Sequence, residues 1–213
     1  MPERGRFITL EGGEGAGKST QARRLAEALR AAGLTVIETR EPGGSPGAEE
    51  IRRLLTTGEA GRWSPMAETL LHNAARADHL RRTVRPALAA GSWVVSDRFA
   101  DSTLAYQGYG HGIDRAFITA LSAAIVDGLE PALTLVLDLP ATQGLARAAA
   151  RKSGEDRYEK MDMAFHEALR RGYLAIAVAA PERCVVIDAS GDAAATWGQV
   201  KVAVKQRLGL EVA

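Results

Sequence analysis

The chain has 213 residues, 46% of them hydrophobic and 25% charged, the make-up of a water-soluble globular protein with a sizeable core. A formal net charge of +1 gives no field that would draw nucleic acid or an anionic membrane, so neither is an expected partner. The single cysteine, Cys184, rules out a disulfide scaffold and argues against a thiolate zinc site; its apolar neighbours Val185, Val186 and Ile187 make it a core residue. Met1-Pro2-Glu3-Arg4-Gly5-Arg6 does not read as a signal peptide, and no window is apolar enough to span a bilayer, so a cytoplasmic location is expected.

The first apolar run, Phe7 to Leu10, reads as a buried strand. Gly12-Gly13-Glu14-Gly15-Ala16-Gly17-Lys18-Ser19 follows it and fits G-x-x-x-x-G-K-[ST]. Ala22, Leu25, Leu29 and Ala32 then recur at helical spacing, and Gly33 stops the helix. This setting, strand to glycine-rich turn to helix, is the one phosphate binding requires. Glycines let the main chain come close to a ligand, and main-chain N–H groups with the helix N-terminus surround phosphate oxygens. Lys18 is expected to reach the β- and γ-phosphates of a nucleotide, and the Ser19 hydroxyl to ligate Mg²⁺. Gly12, Gly13, Glu14, Gly15, Ala16, Gly17, Lys18, Ser19 and Thr20 together form the expected ATP site.

Further along, Thr35 to Thr39, Trp93 to Ser96, Leu133 to Leu137 and Cys184 to Ile187 read as strands. Several are near-continuous apolar runs, the pattern of a parallel sheet covered on both faces. Between them Ile51, Leu54 and Leu55 mark a helix, and Ser64-Pro65 caps a long one through Leu80. Arg115 to Val126, Pro140 to Arg151, Met163 to Ala179 and Ala194 to Arg207 complete the helices. Strand–helix alternation with no repeat or linker predicts a single doubly wound α/β domain.

Asp97-Arg98 comes directly after the third strand. A carboxylate at that strand end can hold Mg²⁺ or its waters, and the arginine can clamp a phosphate with both arms of its fork. The Asn-Lys-x-Asp segment that reads guanine in regulatory GTPases is absent, since the only asparagine is Asn73. Motor ATPases usually need a longer chain. A small kinase acting on a small molecule remains.

The ordered set of motifs resembles the thymidylate kinase family over nearly the whole chain. It comprises the P-loop with Glu14, then Thr39-Arg40-Glu41-Pro42-Gly43-Gly44, Asp97-Arg98-Phe99 and Asp101-Ser102-Thr103-Leu104-Ala105-Tyr106-Gln107-Gly108. Asp156-Arg157-Tyr158-Glu159, Phe165-His166 and Arg170-Arg171-Gly172-Tyr173-Leu174 follow. The resemblance implies a nucleoside monophosphate kinase-like P-loop fold, with a five-stranded parallel sheet and helices on both faces. It implies phosphorylation of dTMP by ATP with Mg²⁺, and a homodimer. Other nucleoside monophosphate or deoxynucleoside kinases, or a nucleotide-binding switch without turnover, are the alternatives.

By the same resemblance, Glu14 would approach the sugar 3′-hydroxyl, and Arg98, with Arg40, would bind the acceptor phosphate. Arg76 would bond a thymine carbonyl, with Thr103 and Gln107 near the base. Tyr106 would pack under the deoxyribose where a 2′-hydroxyl has no room. Ala16 stands where one branch of the family carries a catalytic basic residue, so a lid at about 147–160 would supply that charge. Arg151 is the first choice for the catalytic contact there, with Arg147 and Arg157 behind it. His72 departs from the family, which has a stacking aromatic at that position. Four residues before Arg76, it shares a helix face with it and offers a smaller planar ring.

Overall fold

A computed structural model describes residues 5–150 and 156–213. The five predicted strands are β1 (Phe7–Glu11), β2 (Val36–Arg40), β3 (Trp93–Asp97), β4 (Leu133–Asp138) and β5 (Cys184–Asp188). All pair in parallel, in the order β2-β3-β1-β4-β5. β1 is therefore central, and Leu10 lies level with Asp97 of β3 and Leu135 of β4. The order reverses around β1, so the turn leaving it opens into the crevice at the strands' C-terminal ends, where α/β sheets bind ligands.

Side chains alternate between the two faces of the sheet, and both faces are buried. Ile8, Leu10, Leu135 and Leu137 pack with Leu25 and Leu29 of α1 (Lys18–Ala31) and with Trp197 and Val200 of α9 (Ala193–Leu208). On the other face Phe7 and Val94 meet Leu80 and Val84, and Val136 meets Leu169, Tyr173 and Ile176 of α8 (Met163–Ala179). Each fully buried large apolar side chain contributes about 1.5–3 kcal/mol. The remaining helices are α2 (Pro46–Thr56), α3 (Pro65–His79), α4 (Arg85–Ala89), α5 (Ala100–Thr103), α6 (Arg115–Val126) and α7 (Ala141–Ala149).

Local chemistry sets the ends of these helices. Ser64 accepts from the Ala67 N–H with Pro65 in the first turn, and Asp114, Asp162 and Asp192 cap α6, α8 and α9 in the same way. Two features lie beyond the periodicity reading. The third helix does not stop at Leu80: α3 passes through a π-helical turn, Leu80–Val84, into α4. The stretch after β3 is also helical, with α5 continuing as a π-helical Leu104–Gly110. A widened turn breaks the 3.6-residue spacing on which a helix is recognised.

Candidate active site

A cavity of about 710 Å³ opens at the C-terminal ends of β1, β2 and β3. At one end is the P-loop. Gly12, Gly15 and Gly17 have φ of 138°, 69° and 89°. A Cβ at Gly12 would lie 2.4 Å from the Leu137 carbonyl oxygen, and one at Gly15 would lie 2.0 Å from that of Gly144, so close packing against β4 and α7 excludes a side chain. Lys18 Nζ donates to the Gly13 carbonyl at 2.7 Å, spanning the loop. Burial, with Arg98 nearby, lowers the Lys18 pKa to about 8. The Ser19 hydroxyl donates to Asp97 Oδ2, and Asp97 Oδ1 is buried with no hydrogen-bond partner among the described residues. The donor set is a hydroxyl beside a carboxylate with a spare oxygen, which suits a hard divalent cation such as Mg²⁺.

Arg98 occupies the middle of the cavity. Its backbone is left-handed at φ 73°, with its N–H on the Leu10 carbonyl. The guanidinium donates to Gly12 O at 3.0 Å, the Tyr173 hydroxyl at 3.0 Å, Glu14 Oε1 at 3.1 Å and the Tyr106 hydroxyl at 2.8 Å. Tyr106 in turn donates to Glu14. Burial disfavours the Glu14 carboxylate, but Arg98, Lys18 and the Tyr106 hydroxyl together hold its pKa down at about 2. Beneath this cluster Glu11 accepts from the Phe99 N–H at 2.8 Å and the Ser102 hydroxyl at 2.6 Å. Burial and the neighbouring Asp101 push Glu11 up to about 8.

At the other end of the cavity, α3 presents His72 and Arg76. Arg76 is buried and donates to Glu41 at 2.8 Å, Asn73 at 3.2 Å, Phe99 O at 3.0 Å and Thr103 Oγ1 at 2.9 Å. Glu41 also pairs with His79 at 3.0 Å. Gln107 Nε2 donates to Glu68 at 2.7 Å, while Gln107 Oε1 is buried without a partner among the described residues. A carboxylate only accepts, so this contact fixes which way the amide points.

The fold brings Glu14, Lys18, Ser19, Asp97, Arg98, Tyr106, His72, Arg76, Thr103, Gln107 and Arg40 around one cavity. Arg40 is half-exposed and paired with Glu49 at 3.1 Å. Thr20 is exposed on the first turn of α1. Arg147 and Arg157 do not line the cavity. Arg147 donates to the carbonyls of Ala189, Ser190 and Gly191 at 2.9–3.0 Å. Arg157 is buried on Glu68 and on the carbonyls of Leu55, Glu59 and Ala60. Arg151 lies outside the described residues. Periodicity gave no role to Glu11, Glu41 or Tyr158; the signal available for the first two was a carboxylate at a strand's C-terminal end.

Comparison with known proteins points to one family. The thymidylate kinase family model matches residues 10–196. The thymidylate kinase of Caulobacter vibrioides is 58% identical over 97% of this chain and 99% of that protein. That of Dinoroseobacter shibae is 56% identical over 88% and 90%. The crystal structure of thymidylate kinase from Ehrlichia chaffeensis superposes with a TM-score of 0.75 at 35% identity, covering 93% of this chain and 98% of that one.

Proposed function

The chain belongs to the thymidylate kinase family, and on that premise we propose how its cavity carries the γ-phosphate of ATP to dTMP, giving dTDP and ADP. The observation that carries this reading is the convergence of Lys18, the Ser19–Asp97 pair and the Arg98–Glu14 pair at the strand ends. An oxygen of the acceptor phosphate attacks the γ-phosphorus, and the bond from that phosphorus to the β–γ bridging oxygen breaks. The acceptor is a dianion and needs no strong base, so the protein's work is alignment and charge neutralisation. Lys18 neutralises the transferring group, and Arg98, helped by Arg40, holds the acceptor phosphate. Ser19 and Asp97 are the proposed Mg²⁺ ligands; the ion, when bound, offsets charge on the phosphates.

Glu14, ionised at neutral pH, accepts from the sugar 3′-hydroxyl. Tyr106, pinned by Glu14 and Arg98, packs under the sugar. Among the described residues four of the five Arg76 N–H groups are engaged, leaving one on Nη1 for a base carbonyl. Thr103 steadies Arg76, and the unpartnered Gln107 Oε1 matches the imide N–H of thymine. Arg151 is the proposed lid residue that contacts the ATP phosphates, acting within one domain whose lid spans about 147–160. In this structure Arg147 and Arg157 are held by carbonyls, so they support the lid rather than reach the phosphates.

A homodimer is proposed on the exposure of α6, an apolar helix of which only Ile118 is buried. Phe117 is exposed there, and Met66 and Leu70 are exposed on α3, which packs against α6. Among the described residues no helix is long and apolar enough to cross a membrane; the cytoplasm is the proposed location. A coupled assay with Mg-ATP against dTMP, dUMP, UMP, AMP, GMP and thymidine tests the function. dTMP is expected to be the best acceptor by a wide margin, and equal use of AMP or GMP would overturn the assignment. Sedimentation at micromolar concentration tests the dimer.

A further inference from the structure

Glu68, His72 and Arg76 lie four residues apart and so form one stripe along α3. Each is gripped by a different partner. Arg76 binds Glu41, Glu68 receives Arg157, and His72 Nε2 lies 2.8 Å from the Tyr158 hydroxyl. Arg157 and Tyr158 are consecutive, so two adjacent residues hold two successive turns of the helix.

Arg157 has almost no freedom, being buried and donating to Leu55 O at 3.1 Å, Glu59 O at 3.2 Å and Ala60 O at 2.9 Å. Its guanidinium also covers the Tyr158 ring at 5.1 Å, and Tyr106 meets that ring edge-on at 5.1 Å. The Tyr158 hydroxyl is therefore a fixed point on the cavity wall.

A histidine ring left alone turns about its last torsion and exchanges its proton between two nitrogens. Burial lowers the His72 pKa to about 4, so the ring is neutral, with one donor and one acceptor nitrogen. A hydroxyl held at Nε2 removes the first freedom: it sets the plane of the ring, and being donor and acceptor at once it can bond either tautomer.

Resting on the base-pocket reading above, we propose that Tyr158 is a positioning residue for nucleotide selection. It acts through His72, fixing the ring plane that the base meets. Phe at position 72 has no ring nitrogen for the hydroxyl to hold, so the hydroxyl would have nothing to position there.

A double-mutant cycle tests this. Tyr158→Phe keeps the ring packed against Arg157 and Tyr106 and removes only the hydroxyl. It is expected to raise the dTMP KM about fivefold, the factor a net hydrogen bond supplies, with kcat and the ATP KM unchanged. In the His72→Phe background the same substitution is expected to change nothing. Imidazole ¹⁵N spectra report the pair without substrate: His72 Nε2 is expected at the shift of a hydrogen-bonded nitrogen in the native protein and displaced from it in Tyr158→Phe. An equal KM increase in both backgrounds means Tyr158 meets the base directly and overturns the proposal. An unchanged dTMP KM in Tyr158→Phe overturns it as well, and the spectra then show whether the bond exists without steering selection. A native enzyme inactive on dTMP defeats the functional reading itself, a result seen before any variant is made.

Discussion

The phosphate end of the cavity is built on the P-loop, and among the described residues two of its side chains make a single hydrogen bond each. Lys18 rests on a carbonyl of its own loop, and Ser19 on Asp97. The base end is made of side chains from separate elements that already satisfy one another. Arg76 from α3 meets Glu41 from the loop after β2, Phe99 from the loop after β3, and Thr103 from α5. Two arginines of the cavity, half-buried Arg98 and buried Arg76, show the contrast. Arg98 sits among hydroxyls and one carboxylate on a left-handed backbone turned into the cavity, while Arg76 neutralises a carboxylate deep in the fold. The phosphate end can lose Lys18 and keep its shape, whereas Arg76 at the base end is also part of what holds the protein together.

Substitutions should separate the two ends. The largest effect is expected from Arg76→Ala, which leaves the buried Glu41 carboxylate with His79 alone. Breaking a buried pair in this way costs about 3–5 kcal/mol, read as a lower denaturant midpoint together with a raised dTMP KM. Lys18→Ala comes next and falls on the other side of the comparison. It should lower kcat by about 10²-fold or more with the denaturation midpoint little changed. If Lys18→Ala unfolds the protein while Arg76→Ala leaves stability intact, the contrast between the ends is wrong.

Glu14 offers a pH test of the phosphate end. Its folded-state pKa is depressed from 4.5 to about 2, so the stability it contributes is fully present above 4.5 and is lost as pH falls toward 2. Tyr106→Phe removes one hydrogen bond to the carboxylate and should raise that pKa, moving the loss to higher pH. The change is expected to be about 2 kcal/mol in the stability difference between pH 7 and pH 2.5, measured by urea unfolding at both. A variant with the native pH profile would show that Tyr106 does not help to hold the charge.

The smallest effects belong to His72. His72→Ala should raise the dTMP KM about fivefold through lost ring contact, and His72→Phe should match or lower it, with the ATP KM unmoved in both. Unchanged dTMP kinetics in the two variants would mean that the ring is turned from the base and the stripe on α3 serves only packing.

Much of the phosphate end was legible because its geometry is local. A buried strand, glycines that tolerate left-handed turns and a helix start are consecutive in the chain, so the residue pattern and the structure coincide from Phe7 to Lys18. The Asp97-Arg98 pair was legible for the same reason, at the end of an apolar run. The Ala100–Gly110 helix was not, because its π-helical part breaks helical periodicity and its glycines suggest a loop. One of them, Gly110, is demanded by Phe165 of α8, which would lie 2.5 Å from a Cβ there.

Composition, apolar runs and the glycine-rich turn determined a parallel α/β sheet, its five strands and the place where phosphates bind, because each is written in neighbouring residues. Tertiary structure alone decided what each arginine does. Arg147 and Arg157 carry the same fork as Arg98, yet one holds the carbonyls of Ala189, Ser190 and Gly191 and the other those of Leu55, Glu59 and Ala60. A guanidinium on a long flexible stem takes whichever acceptors the fold brings within reach, and here they come from about 40 to 100 residues away along the chain.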